Sequence, residues 1–228
     1  MYLNSLLQLL HLCDPALPIG GFSHSTGLET YVQKRLITSK EEAKEFITNQ
    51  LSLNIFYTDA ALVSLAYEAA SKNDFEKILN LDEICTAVKL PKEVRLSSNK
   101  LGKRLLKIFE NDNDSFLPNK YKMAIANKEA YGNYCIAFAL LAQHMNIAKQ
   151  ETLAGFYYNA ASGFVTNAVK LIPLGQLDGQ QILMSLFSLI NELAEKSLKP
   201  DEELIGYCCA GFDIRCMQHE QLYSRLYM

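Results

Sequence analysis

The sequence has little net charge and no long hydrophobic run. Its 22 Lys and Arg residues and 25 Asp and Glu residues give a net charge of -3, and the basic residues are scattered along the chain. Because binding to phosphates needs a concentrated basic surface, we expect no nucleic acid partner. The longest uninterrupted apolar stretch, Cys135 to Ala142, is far shorter than the roughly 20 residues of a membrane-spanning helix, so we expect no membrane partner.

The sequence also lacks a CxxC pair and the basic segment that begins a secretory signal peptide. The apolar residues of the segment 1–12 are interrupted by polar ones, so we expect a cytoplasmic protein. In a reducing compartment cysteines remain thiols and pack like small hydrophobic side chains. We expect this of all six cysteines, which are Cys13, Cys85, Cys135, Cys208, Cys209 and Cys216.

The first half of the chain shows helical signals. Ser39 and Glu42 have the spacing of a capping box, which predicts that a helix begins there. Thr58-Asp59 precedes an Ala-rich run through Ala70, which we interpret as a second helix with a face of small residues. Pro91 then predicts the first turn of another helix, which continues to about Phe109 and is followed by a polar loop.

The second half is also helical in pattern. The segment Tyr134 to Met145 is apolar almost all round, which predicts a central buried helix. Asp178 is expected to cap a later helix that carries one apolar stripe, formed by Ile182, Leu183, Leu186, Ile190, Leu193 and Ala194. No segment alternates with the period of a strand between hairpin turns. The expected fold is therefore all-α, a single domain over residues 1–228 built as a bundle of roughly eight to ten helices.

Two possible signs of catalysis are weak. Gly20 and Gly21 are not followed by the Gly-Lys-Ser/Thr of a phosphate loop. The cluster Ser23-His24-Ser25 holds a hydroxyl and an imidazole, but adjacent residues rarely point at one another and no orienting acid is evident. We therefore expect no catalytic residues and interpret the chain as a non-enzyme.

One pair of residues has the spacing of metal ligands. Cys216 and His219 stand at positions i and i+3 of an expected helix, close enough to share one ion. The alternative is a buried Cys beside a surface His, and no second pair of ligands lies nearby in the sequence. We expect no metal site here, and keep a metal-binding protein that uses this pair as the alternative hypothesis.

Three segments carry more specific residues than ordinary connections need. The segment Asp14 to Glu29 is either a simple helix connector or a shaped loop whose apolar side chains pack down. Lys170 stands at an expected helix end, where a cation offsets the helix dipole. Tyr223 and Arg225 belong to a tail whose aromatic and Arg residues are typical of protein interfaces, although a frayed terminal helix is equally compatible.

Several separated motifs resemble the UreF family of urease accessory proteins. The motif Pro-Ala-Leu-Pro-x-Gly-x-Phe-x-x-Ser-x-Gly-Leu-Glu is matched by Pro15 through Glu29. The turn Pro-Leu-Gly-Gln-x-Asp-Gly-Gln is matched by Pro173 through Gln180, and the closing His-Glu-x-x-Tyr-Ser-Arg-Leu by His219 to Leu226. A middle Glu-x-Arg…Ser…Gly…Leu-Leu pattern is matched by Glu93, Arg95, Ser98, Gly102, Leu105 and Leu106. Asn133 departs from the family pattern, because many members have His there.

The resemblance implies a role in assembling other proteins. It implies a non-catalytic, dimeric scaffold that bridges UreD, also called UreH, and the GTPase UreG, and through them reaches apo-urease. It implies that no cofactor is bound firmly and that nickel is handled by the complex during GTP-dependent insertion. Modulation of the UreG GTPase is a further implication of this kind. Arg215 or Arg225 could act on the GTPase directly, but a scaffold that fixes the UreG dimer explains the coupling without inserting any side chain.

The resemblance also implies which residues form the site. The residues expected to contact partners are Lys170, Arg215, His219, Glu220, Tyr223, Ser224 and Arg225. Those expected to shape a nearby loop are Pro15, Pro18, Gly20, Phe22, Ser23, Gly27 and Glu29. Those of the expected surface turn are Pro173, Gly175, Gln176, Asp178 and Gly179.

Overall fold

Helices and short turns make up the architecture. The computed structural model describes residues 3–20, 27–110, 117–207 and 209–222. The expected polar loop falls largely on residues outside these ranges. In chain order the α-helices are α1 (Leu3–Leu12), α2 (Leu28–Gln33), α3 (Lys40–Asn49), α4 (Ala61–Ser71), α5 (Phe75–Val88), α6 (Lys92–Ile108), α7 (Leu117–Ala126), α8 (Tyr134–His144), α9 (Lys149–Leu171), α10 (Gln176–Ser185), α11 (Phe187–Lys196) and α12 (Ala210–His219).

The first long helix contains a widened segment. The amide of Glu42 donates to Ser39 Oγ at 3.2 Å and the Ser39 amide donates to Glu42 Oε2 at 3.1 Å, so the predicted capping box is confirmed. A separate helix start at Thr58-Asp59 is wrong, because α3 continues through a π-helical segment, Gln50–Ala60, directly into α4. No Gly or Pro occurs in residues 49–61 to end the helix.

The core is organised around α8. Eight consecutive residues of this helix, 135–142, are buried, which confirms the predicted central helix. It packs mainly against α4 and α6, and also touches α5, α7 and α9. Phe138 meets Phe156 of α9 edge to face, with 5.2 Å between the ring centroids. A helix surrounded in this way needs no polar face, which explains its composition.

A buried carboxylate joins α5, α7 and the start of α8. Asp82 is fully buried and accepts hydrogen bonds from Tyr121 Oη at 2.6 Å, the Asn133 amide at 3.0 Å and Asn133 Nδ2 at 2.8 Å. The Tyr131 amide also donates to it, at 2.5 Å. Ser98 of α6 donates to Asn133 Oδ1 at 3.1 Å, which extends the network to a fourth helix. Burying a carboxylate is unfavourable unless such partners are present, so these segments must stay together.

The helix that follows α9 begins earlier in the chain than the sequence predicts. α10 begins at Gln176, so Asp178 lies inside the first turn and does not cap it. Its Oδ2 accepts from the Gly175 amide at 3.2 Å, which places the carboxylate three residues beyond the capping position. The predicted apolar stripe is confirmed, since all six of its residues are buried. The helix itself is interrupted at Leu186, where α10 gives way to α11.

The predicted all-α fold is confirmed. The part of the chain that the structure describes contains no strand, and its helices slightly exceed the expected number because short ones such as α2 carried no clear pattern. None of the helices within these ranges is long and apolar enough to span a bilayer.

Gly102 should be intolerant of a side chain. A Cβ there would lie 2.2 Å from the Gly132 carbonyl oxygen, where α6 meets the chain entering α8. We expect Gly102→Ala to lower the free energy of unfolding by about 1 to 3 kcal/mol, because backbone must move to admit the methyl group. Urea unfolding followed by circular dichroism measures the change.

Gly163→Ala is the matched control for this prediction. Gly163 also lies inside a long helix, but a Cβ there would meet nothing within 4 Å. Ala should leave stability unchanged or raise it by up to about 1 kcal/mol, because Ala is the better helix former. Equal destabilisation by both substitutions would show that the close approach at Gly102 is unimportant.

Candidate functional site

A cavity of about 240 Å³ lies between the π-helical segment, α6, α9 and α12. Its apolar wall includes Tyr134, Phe156, Phe164 and Phe212. Its charged groups fall into two sets, one around His219 and one around Lys89. These sets come from segments far apart in the sequence, so the fold brings them to one place.

His219 connects α12 to two helices that are distant in the sequence, α2 and α6. Its Nδ1 lies 2.7 Å from Glu93 Oε2 on α6, and its Nε2 lies 3.2 Å from Glu29 Oε2 on α2. The side chain is only 4% exposed, so the alternative of a surface histidine is wrong. Both ring nitrogens therefore lie within hydrogen-bonding distance of a carboxylate inside the protein. His219 therefore supports the surface around it and is not itself open to a partner.

Other contacts hold α12 against the same helices. Thr30 Oγ1 donates to the Arg215 carbonyl at 3.0 Å, and the Arg215 guanidinium donates to Gln218 at 2.8 Å while lying over the Tyr31 ring. Glu220 accepts from the Glu93 amide at 3.3 Å. The N-terminal and C-terminal motifs therefore meet, and their residues pack on each other.

The surroundings of Cys216 favour a buried, structural cysteine over a metal ligand. The thiol is buried, and a Cβ at Gly27 would lie 2.6 Å from its Sγ. Burial, reinforced by the charge of Asp213, raises the pKa of this thiol well above its usual value. Because both ring nitrogens of His219 already face carboxylates, the imidazole is a poor second ligand for an ion bound at Cys216.

The second polar set is a buried ion pair. Lys89 is 8% exposed, and its Nζ lies 2.8 Å from Asp59 Oδ1 and 2.7 Å from Oδ2. Burial lowers the pKa of Lys89, but the Asp59 carboxylate and the nearby Cys85 and Cys135 together outweigh burial and raise that pKa. Asp213 faces the same cavity, where burial raises its pKa and Lys89 opposes the rise. The Lys89 ammonium therefore stabilises the charged forms of Asp59 and Asp213.

The sequence did not reveal this pair. The sequence predicts Asp59 only as part of a helix start, and Lys89 belongs to no recognisable motif. The two residues are 30 positions apart, and the pattern of either helix gives no sign that they meet. The structure gives one sign that Asp59 belongs to a functional site, because it lies in a π-helical segment and such segments occur frequently at functional sites. The sequence pattern does not show this segment.

The predicted surface turn lies at the end of α9. Pro173, Gly175 and Gln176 are exposed, whereas Gly179 is buried against Val169 of α9. Lys40 of α3 pairs with Asp178 Oδ1 at 2.9 Å, which ties the turn to a second helix. Lys170 is exposed one turn before it. The turn is therefore a fixed part of the surface.

The remaining predicted residues divide into two groups. Pro15 and Pro18 are exposed, and Gly20 has a φ of 86°, a backbone conformation that favours glycine. Arg104 of α6 donates to the Ile19 carbonyl at 3.0 Å, which fixes that end of the loop. Five predicted residues lie outside the described ranges, namely Phe22, Ser23, Tyr223, Ser224 and Arg225.

Fold and site together define an all-α protein in which α12, held against α2 and α6, closes one side of a largely apolar cavity that contains a few charged groups. A family model described as UreF matches residues 37–187. Urease accessory protein UreF of Haemophilus influenzae strain PittEE is 50% identical over 226 residues, covering 99% of this chain and 96% of the relative. The chain belongs to the UreF family.

Two further relatives agree. Urease accessory protein UreF of Actinobacillus pleuropneumoniae serotype 5b strain L20 is 48% identical, covering 99% of this chain and 100% of the relative. The protein of the same name from Bacillus sp. strain TB-90 is 37% identical over the same shares of both chains. The likeness to these relatives therefore spans nearly the whole sequence.

The Asp59–Lys89 pair should contribute strongly to stability. Lys89→Met would leave the Asp59 carboxylate buried without its cation, and breaking a buried pair in this way typically lowers stability by about 3 to 5 kcal/mol. Lys40→Met is the control, because the Lys40–Asp178 pair is partly exposed and solvent screens it. Urea unfolding of both variants should show a much larger loss for Lys89→Met. Similar losses would mean that the buried pair has no special importance.

Proposed function

We propose that this chain is a non-catalytic scaffold in urease maturation. It bridges UreD, also called UreH, and the GTPase UreG while nickel is inserted into apo-urease. The observation that carries the proposal is likeness over nearly full length to proteins named urease accessory protein UreF. We further propose that it works in the cytoplasm and as a homodimer.

The contacts of the site support a scaffold over an enzyme. Among the described residues, His219 has both nitrogens engaged by carboxylates, and Lys89 is held by Asp59. A general base needs a free position within reach of its substrate, and a nucleophile needs an adjacent base. These polar groups instead fix helices, which favours a function that depends on the shape of the surface.

The contact surface that we propose combines two regions. One is the fixed turn at Pro173–Gly179 together with Lys170, and the other is the surface around α12, with Arg215, Glu220 and the tail residues Tyr223, Ser224 and Arg225. Arg and aromatic residues are enriched at such interfaces. The turn at Pro173–Gly179 is fixed before binding, so it loses less conformational entropy on association.

We also propose that coupling to GTP hydrolysis needs no inserted arginine. An arginine supplied in trans can raise the rate of phosphoryl transfer by roughly 10³ to 10⁵. The Arg215 guanidinium already donates to Gln218 and lies over Tyr31, so its contacts within the chain favour a structural role. A scaffold that fixes the geometry of UreG explains coupling without this side chain.

Deletion of the gene for this chain should abolish urease activation. We expect cells without it to accumulate apo-urease that contains little nickel, and a plasmid copy to restore activity. Urease activity per unit of urease protein, with nickel content measured on the purified enzyme, checks the expectation. Full activity in the deleted cells would refute the proposed role.

The contact surface can be tested by reversing one charge. Lys170→Glu should weaken co-purification of this chain with UreD or UreG, because an exposed cation of the proposed interface becomes an anion. Lys100→Glu, on an exposed position of α6, is the matched control and should leave complex yield unchanged. Both variants should keep the circular dichroism of the parent. Normal yield with Lys170→Glu would remove this residue from the interface.

A further inference from the structure

Two cysteines and one aspartate meet beneath the cavity. The Sγ atoms of Cys85 on α5 and Cys135 on α8 are 3.4 Å apart, and both residues are fully buried. Together with a carboxylate oxygen of Asp59 they form a group whose three ligand atoms lie within 4.8 Å of one another. We propose that Asp59, Cys85 and Cys135 bind one thiophilic divalent cation, such as Zn²⁺ or Co²⁺.

The distance between the sulfurs fits an ion better than a disulfide. With metal–sulfur bonds of about 2.3 Å and tetrahedral angles, two ligating sulfurs are about 3.8 Å apart. The observed pair would have to separate by a few tenths of an ångström to reach that spacing. A disulfide bond of about 2.05 Å would instead require an approach of more than 1 Å. The smaller movement favours coordination.

The charges of the cluster also fit a divalent ion. Without an ion, the Asp59 carboxylate is balanced by the Lys89 ammonium. When an ion binds, each thiol releases one proton to solvent, and the two thiolates balance the two positive charges of the ion. The net charge is therefore the same before and after binding, which avoids the large penalty for burying uncompensated charge.

Lys89 does not block the aspartate. A carboxylate has about four lone-pair sites, so one oxygen of Asp59 can ligate an ion while the other keeps its contact with the ammonium. Asp59 and Lys89 line the cavity, whereas the cysteines lie behind them. The carboxylate is therefore the first ligand that an entering ion meets, and the two sulfurs follow.

The ligand set defines the class of ion. Thiolate ligands select zinc, cobalt and similar ions over Mg²⁺ and Ca²⁺, which prefer oxygen. Three protein ligands leave a fourth position open, as in sites that exchange a ligand, whereas structural zinc sites have four. The site is distinct from the Cys216–His219 pair, and the inference does not rest on the proposed role in urease maturation.

Cobalt titration of the isolated, reduced full-length chain tests the proposal. We expect one Co²⁺ per chain, with the near-ultraviolet charge-transfer absorption of cobalt–thiolate bonds and the visible bands of a four-coordinate ion. Cys85→Ala and Cys135→Ala should each lower the affinity at least about tenfold and reduce the charge-transfer intensity. Cys13→Ala and Cys216→Ala, which remove other buried thiols, should change neither.

Thiol protection in the unmodified protein provides a second measurement if a variant fails to fold. Zn²⁺ should slow alkylation of Cys85 and Cys135 by N-ethylmaleimide, mapped by mass spectrometry, while Cys13 keeps its rate. The proposal is overturned if the parent protein shows no cobalt–thiolate absorption. It is equally overturned if the absorption disappears in Cys216→Ala but persists in Cys135→Ala. Because no urease component is present, neither result bears on the maturation role.

Discussion

The buried carboxylate of Asp82 is the constraint on which the rest of the structure depends. It lies in the core, and hydrogen bonds from Tyr121 and from the backbone and side chain of Asn133 stabilise it. Because an unpartnered carboxylate would be strongly unfavourable there, α5 and the start of α8 have one allowed position relative to each other. Cys85 follows Asp82 by three residues and Cys135 follows Asn133 by two, so the same constraint brings the two sulfurs together.

The helix that carries Asp82, α5, ends beside the cavity. It ends at Val88, and the next residue, Lys89, meets Asp59 of the π-helical segment. On the opposite side, α12 is held by His219 between Glu29 and Glu93. The polar groups of the cavity are thus also the groups that join helices distant in sequence. Changing one of them alters the packing of two or more helices, so their effects on stability and on any binding have to be separated by paired variants.

Local signals in the sequence were sufficient for much of the fold. The capping box at Ser39, the apolar α8 and the stripe after Asp178 each depend on residues within a few turns, which is the range over which periodicity is informative. The continuous helix through Thr58 was missed, because hydroxyl and carboxyl groups mark helix starts but also occur inside helices. Asp59–Lys89 and Asp82–Asn133 are pairings 30 and 51 residues apart, and one sequence contains no pattern that specifies them. The burial of His219 was missed for the same reason, since both its partners lie more than 100 residues away.

The family motifs therefore have two different physical meanings. Glu29 contacts His219, and Gly27 packs against Cys216 and Phe212, so the identities of these motif residues follow from the need to hold α12 against α2 and the chain before it. The turn at Pro173–Gly179 differs, because its backbone is fixed by Asp178 and Lys40 while Leu177 remains 71% exposed. An apolar side chain on a rigid, exposed turn does little for the stability of the chain, but on binding it loses little entropy and can bury its full area. This difference supports contact with a partner at the turn, and a structural role for Gly27, Glu29 and His219.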